Sequence, residues 1–149
     1  MDDVQWLLAR VWKRLSGRVQ WRLMWLRNAT FMVGVTGVVR DAQGRVLLLR
    51  HRYWPEGREW GFPGGYAVRG ETFEGTVERE VREETGLEVE VTRLIHVRSG
   101  YRLRIEVAYE AVPVGGTLRP DGTEILEARW FDPARLPERM QPSHRAFIR

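Results

Sequence analysis

Residues 65–87 read GYAVRGETFEGTVEREVREETGL, and the second half of this stretch carries helix punctuation at both ends. Thr72 is placed to act as N-cap, and Glu74 then lies in the first turn, where the helix dipole favours an anion. Gly86 supplies the left-handed residue that closes a helix, with Leu87 packing back on Val81. The spacing therefore predicts a helix over 73–85, with Gly75 in its first turn costing about 1 kcal/mol relative to alanine. With residues set ~100° apart, Phe73, Val77 and Val81 form an apolar stripe bordered by Glu80 and Glu84, and Arg79 and Arg82 take the outward arc. Glu80, Glu83 and Glu84 fall at i, i+3 and i+4, where like charges are neighbours and destabilise a helix.

A solvated face is the ordinary explanation of an acidic run, but here two carboxylates are turned towards the apolar side. Carboxylates forced together there repel one another and lose hydration. A divalent cation relieves both penalties. Hard oxygen ligands suit Mg²⁺ or Mn²⁺, which also bridge phosphate oxygens.

A longer pattern runs through the cluster: Gly65, five residues, Glu71, seven residues, Arg79-Glu80-Val81, one residue, Glu83-Glu84, one residue, Gly86-Leu87. It resembles the Nudix box at every fixed position and at both apolar ones. Seven fixed residues at roughly one-in-ten frequency match by chance on the order of once in ten million start points. The preceding "WGFPGG" and the later "EARWFDPARLP" are also similar to family segments, so the likeness covers about residues 31–137. It implies a Nudix-type α/β/α sandwich with a mixed β-sheet, and hydrolysis of a nucleoside diphosphate linked to another group. It implies one to three Mg²⁺ or Mn²⁺ ions, with Glu80 and Glu84 as principal ligands, Glu83 on a second ion or its water, and the Gly65 carbonyl completing the set. Arg79 is expected to hold the carboxylates by a salt bridge, and Glu71 to support the junction of loop and helix. Some members use a further glutamate before the closing Trp-containing strand. Glu124 is the candidate here and Glu127 its rival, with Glu83 the other candidate base.

The residues outside the box give weaker signals. Trp60 is read either as a platform for a nucleobase or as packing beneath the loop. Arg50 and Arg52 alternate on a strand, where they would touch phosphate or pair with surface acids. His51, His96 and His144 have no partner at metal-ligand spacing. The places where family subgroups carry substrate markers hold Arg102, Leu103 and Arg104, which match none of them. The substrate class expected is a nucleotide sugar or similar metabolite. Clearance of nucleoside triphosphates and removal of pyrophosphate from RNA 5′ ends are the alternatives, and a silent metabolite-sensing domain is the reading outside catalysis.

The flanking sequence sets the architecture. "FMVGVTGVVR" and "RVLLLRHRY" read as strands joined by "DAQG" into a hairpin. Residues 54–70 read as loop, 87–99 and 101–113 as two alternating strands, 125–132 as a short strand, and "PARLPERM" as a last helix opened by Pro133. Residues 1–28 lie outside the likeness and form a helical, basic extension to a domain over 29–149. They carry Lys13 and five arginines against Asp2 and Asp3, whereas residues 29–149 carry 18 arginines against 18 acids. The net charge of +4 thus belongs to the extension alone. Tryptophans at helical spacing are ordinarily buried, which favours an arm packing on the domain or across a homodimer. A membrane-surface helix and contact with RNA or another polyanion are the alternatives. The absence of cysteine excludes disulfides and thiolate chemistry and fits a cytoplasmic setting. No run of the sequence is long and apolar enough to cross a bilayer.

Overall fold

The computed structural model describes residues 2–28 and 30–148, the side chains of residues 2, 3 and 101 excepted. It divides into two units, Met1–Phe31 and Met32–Arg149. Residue 29, where the sequence reading sets its boundary, lies outside the described residues.

In the first unit α1 (Asp2–Arg14) and α2 (Gly17–Arg27) are separated at Ser16. The Gln20 side chain donates to the Trp12 carbonyl at 2.8 Å and ties one helix to the end of the other. The apolar side chains of both helices stand exposed, Trp6 at 61%, Trp21 at 72% and Trp25 at 60%.

The second unit contains β1 (Met32–Val39), β2 (Val46–His51), β3 (Trp60–Gly61), β4 (Gly64–Tyr66), α3 (Phe73–Thr85), β5 (Leu87–Tyr101), β6 (Arg104–Gly116), β7 (Ile125–Phe131) and α4 (Pro142–Arg145). One sheet is mixed, in the order β4-β1-β6-β5 with β1 parallel to β6, and the other is β3-β2-β7, antiparallel throughout. This is the mixed α/β fold that the sequence implies, with helices preceding it.

The run "VLLL" explains how the two sheets share a core. Alternate residues of a strand face opposite sides. Leu47 and Leu49 enter a cluster with Val35, Val77, Val81 and Val107, while Val46 and Leu48 enter a second one with Val38, Trp60, Phe62 and Met140. A strand buried on both faces needs continuous apolar sequence. Gly37 lets α3 come close to β1, because a Cβ there would stand 2.7 Å from Val77 Cγ1.

Three local expectations are corrected. The turn at residues 41–44 forms, but β1 and β2 meet only at the Arg40–Val46 bridge and then part into different sheets. Residues 54–70 are not all loop, since β3 and β4 lie within them. Residues 133–140 are not helical. Asp132 Oδ1 accepts the Ala134 N–H at 2.9 Å, Pro137 brings no donor and disfavours helix at Leu136, and Met140 pairs beside Trp60. The last helix is α4.

Candidate active site

The site forms where β4 lies between β1 and α3. Thr36 pairs with Gly64 and Val35 with Gly65, which fixes the two-glycine segment on the sheet edge. Neither glycine tolerates a side chain. A Cβ on Gly64 would stand 2.3 Å from the Val35 carbonyl oxygen, and one on Gly65 would stand 2.1 Å from Glu80 Oε1. The glutamates of α3 thus rest directly against the backbone of β4.

Helix α3 is bounded as its sequence requires. Thr72 accepts the Gly75 N–H at 3.0 Å, and Gly86 takes the left-handed conformation with φ 73°. Its buried side is Thr76, Val77, Val81, Glu84 and Thr85, whereas Phe73 is 37% exposed and does not belong to the stripe. Glu84 is a carboxylate in the buried row. It accepts the Gly64 N–H at 3.0 Å. Burial pushes its pKa up to about 8, and the neighbouring Glu80, Glu124 and Asp121 carboxylates push the same way.

Arg79 does not point outward with Arg82. Its guanidinium folds back as a hub: Nε donates to Glu71 at 2.8 Å, and Nη1 to Glu80 at 2.7 Å and to Glu83 at 3.1 Å. Glu71 also accepts from the Thr76 hydroxyl at 2.8 Å. Arg79 first and Thr76 second hold its pKa down at about 2. Arg79 itself is raised above its ordinary value, chiefly by Glu71. Glu83 is 58% exposed at its side chain, the most open of the cluster.

The loop after β6 brings more acid to this point. The Arg119 and Asp121 N–H groups cap the last carbonyls of α3, donating to Thr85 and Glu84 at 2.7 and 3.2 Å. Asp121 Oδ1 then accepts from the backbone of Thr123, Glu124 and Ile125 at 2.9–3.2 Å. Glu124 is thereby set in the electrostatic neighbourhood of Glu84, while its rival Glu127 is taken up by Arg50 at 3.3 Å and Arg129 at 3.2 Å. Arg52 spends its guanidinium on the carbonyls of Thr123 and Gly122 at 2.8 and 3.1 Å. A register shift between Arg50 and His51 ends the alternation that would put Arg50 and Arg52 on one face. The two arginines therefore fasten acids and loop rather than lining an open cleft.

Beside Gly64 and Gly65 opens a cleft of about 370 Å³. Trp54, Phe62, His144 and Phe147 form an aromatic wall, with Tyr66, Arg104, Glu106 and Gln141 as its polar lining. Trp60 is not in it. The Trp60 indole is 8% exposed and meets Phe131 edge-to-face at 5.1 Å, so it is a core residue with no face left for a base. The indole at the cleft is Trp54, stacked on His51 at 3.7 Å. Arg104 donates to the Tyr66 hydroxyl at 3.1 Å and pairs through Nε with Glu106 Oε1 at 3.4 Å, whereas Gln141 Oε1 is a buried polar atom with no hydrogen-bond partner. Such an acceptor is costly unless a ligand completes it. Asp121 had a sequence signal in the turn pair Asp121-Gly122. Tyr66, Arg104 and Gln141 had none, because distant strands and the C-terminal segment bring them together.

The donor set suits a hard divalent cation. Its groups are all oxygens, Gly65 leaves the room a side chain would fill, and buried Glu84 faces three acids while Arg79 bonds to Glu71, Glu80 and Glu83. Among the described residues no three acidic or histidine side chains already gather on one point, since Arg79 holds two of the carboxylates.

Residues 30–149 match the family model described as NUDIX domain. The NAD-capped RNA hydrolase NudC of Vibrio atlanticus is 36% identical over 95 residues, 63% of this chain and 35% of that protein. A MutT-like protein of Streptomyces ambofaciens is 37% identical over 109 residues, 72% of this chain and 68% of that one. The chain thus spans about a third of the first relative and about two thirds of the second. In fold it is similar to the crystal structure of a NUDIX hydrolase from Nitrosomonas europaea, with a TM-score of 0.72 and 24% identity over 82% of this chain and 70% of that one.

Proposed function

The chain belongs to the Nudix hydrolase family, and from that premise we propose that it cleaves the diphosphate of a nucleoside diphosphate linked to another moiety, a nucleotide sugar or similar small metabolite. One observation carries the reading: Glu84 is buried against the Gly64 amide among further carboxylates, and Gly64 and Gly65 in turn line a cleft with aromatic walls. Family members generally work with divalent metal ions. Here Glu80 and Glu84, with Glu83 and the Gly65 carbonyl, would hold Mg²⁺ or Mn²⁺. When bound, the cation neutralises the diphosphate oxygens and lowers the pKa of a coordinated water.

The chain's own residues supply the rest. Arg79 fixes Glu80 and Glu83 relative to one another, and Glu71 fixes Arg79, so both are positioning residues. On this reading Glu124 takes the proton of the attacking water, and the bond from Arg79 to Glu83, the other candidate, supports that choice. Trp54 and Tyr66 offer faces to a planar base, Gln141 Oε1 offers an acceptor to its edge or to a sugar, and Arg104, paired through Nε with Glu106, lines the same cleft. A cleft of about 370 Å³ holds one such moiety. With no cysteine to protect, action in the cytoplasm is part of this reading.

Two neighbouring readings stand beside it, nucleoside triphosphates and RNA 5′ ends, the second of which the NudC relative's name keeps in view. A panel assay divides them. A nucleotide sugar releases nucleoside monophosphate and sugar phosphate, a triphosphate releases pyrophosphate, and a capped RNA yields a 5′-monophosphate end. The proposal expects the first products at the highest kcat/KM. Failure to turn over any diphosphate would favour a sensing domain.

A further inference from the structure

The sequence feature that the active site leaves unused is the basic, tryptophan-rich first unit. Placed ~100° apart, Val4, Leu7, Leu8, Val11 and Trp12 of α1 fall within an arc of about 140°. Their exposures run from 39% at Trp12 to 65% at Val4. The other side holds Lys13 opposite this arc, Arg10 beside it and Arg14 at the border next to Leu7, with Trp6 among them and Arg10 over its ring at 4.5 Å. No acid follows Asp3 in either helix. In α2, Arg18 and Arg22 are interleaved with Trp21, Met24 and Trp25, and no residue of the helix is buried.

The occupant of such a face must satisfy both arcs. A second copy would bring one segment of charge +4 against another, and α1 offers it no acid beyond its first turn. A nucleic acid would take the arginines and leave the apolar arc in water. A bilayer surface with anionic headgroups takes the apolar arc into the acyl boundary and pairs the basic arc with phosphate, and tryptophan is suited to that boundary. No described helix is long and apolar enough to cross a membrane, so the contact is one of lying on the surface. We propose that residues 2–27 dock this enzyme on anionic membrane surfaces, α1 lying in the interface with Leu7, Leu8 and Val11 inward.

Sedimentation of the full chain with vesicles tests this. Vesicles of phosphatidylglycerol mixed with phosphatidylcholine are compared with pure phosphatidylcholine. The wild type should sediment with the first, much less with the second, and less as salt rises. The double variant Leu8→Glu, Val11→Glu should stay in the supernatant. Arg10→Gln and Lys13→Gln should each weaken binding about fivefold. Melting temperature and turnover of a soluble nucleotide serve as controls and should be unchanged in all three. The proposal is overturned if the wild type ignores anionic vesicles. It is equally overturned if the double glutamate variant converts a dimer to a monomer without any loss of vesicle binding, or if an RNA oligomer binds with the same dependence on Leu8 and Val11.

Discussion

A single carboxylate, Glu84, concentrates the physics of the site. Its burial raises its pKa, its one backbone donor is Gly64, and its neighbours are acids. Glu84→Gln keeps the shape and an acceptor for that N–H. Turnover should fall by about 10²–10⁴-fold, while the melting temperature stays level or rises, because burial disfavours the ionised acid that glutamate, unlike glutamine, regains on unfolding. Parallel kcat and melting measurements check both halves. Gly65→Ala makes the complementary point: its Cβ meets Glu80 Oε1, so activity should fall with the carboxylate displaced. Two histidines set a different expectation. His144 Nδ1 accepts the Phe62 N–H at 3.0 Å, which requires a neutral ring. Burial, helped by Arg104, holds its pKa down at about 4, and burial followed by His144 does the same for His51. In the unfolded chain both have the ordinary 6.5 and take protons that the folded state refuses. The histidines' contribution is therefore full above pH 6.5 and declines as pH falls towards about 4, whereas Glu84, raised to about 8 from 4.5, runs the other way and lowers stability as pH rises from 4.5 towards 8. Glu71, held near 2, adds its own loss only below its ordinary 4.5. A melting temperature followed from pH 6.5 to pH 4 should show the histidine decline, which His144→Gln should flatten, while Glu84→Gln should remove the loss between pH 6.5 and 8.

At the scale of elements, α3 and the loop after β6 act as one piece, because the loop's amides cap the helix's last carbonyls. Gly86 is the joint. Its φ of 73° is in the left-handed region, and a Cβ would stand 2.8 Å from the Thr117 carbonyl. Gly86→Ala should cost about 1–2 kcal/mol and also loosen the loop carrying Asp121 and Glu124, so denaturant midpoint and kcat should drop together. A substitution that lowered stability with kcat intact would separate loop from chemistry. The helix was readable because everything that defines it is local: cap, period and terminal glycine. The helix read into residues 133–140 fails for a local reason, the second proline at 137. The hairpin of β1 and β2 fails for a non-local one, since each strand gains more by pairing in its own sheet.

Across the whole molecule, local spacing revealed the acidic half of the site, and tertiary assembly made the other half. Trp60 and Trp54 have similar surroundings in sequence, and only packing sends the first to the core and the second to the cleft. Arg104 comes from β6 and Gln141 from beyond β7, which no periodicity connects. Arg104→Ala should raise KM for the preferred nucleotide by about tenfold with kcat less affected, as steady-state kinetics would show. The central claim is that repulsion among residues 80–84 is tolerated because a divalent cation belongs between them. Titration of the chain with Mn²⁺, followed by calorimetry or by the spectrum of the free ion, tests it most directly. Saturable binding that Glu80→Gln and Glu84→Gln each weaken is the predicted result. Absence of binding, with and without nucleotide, would contradict it.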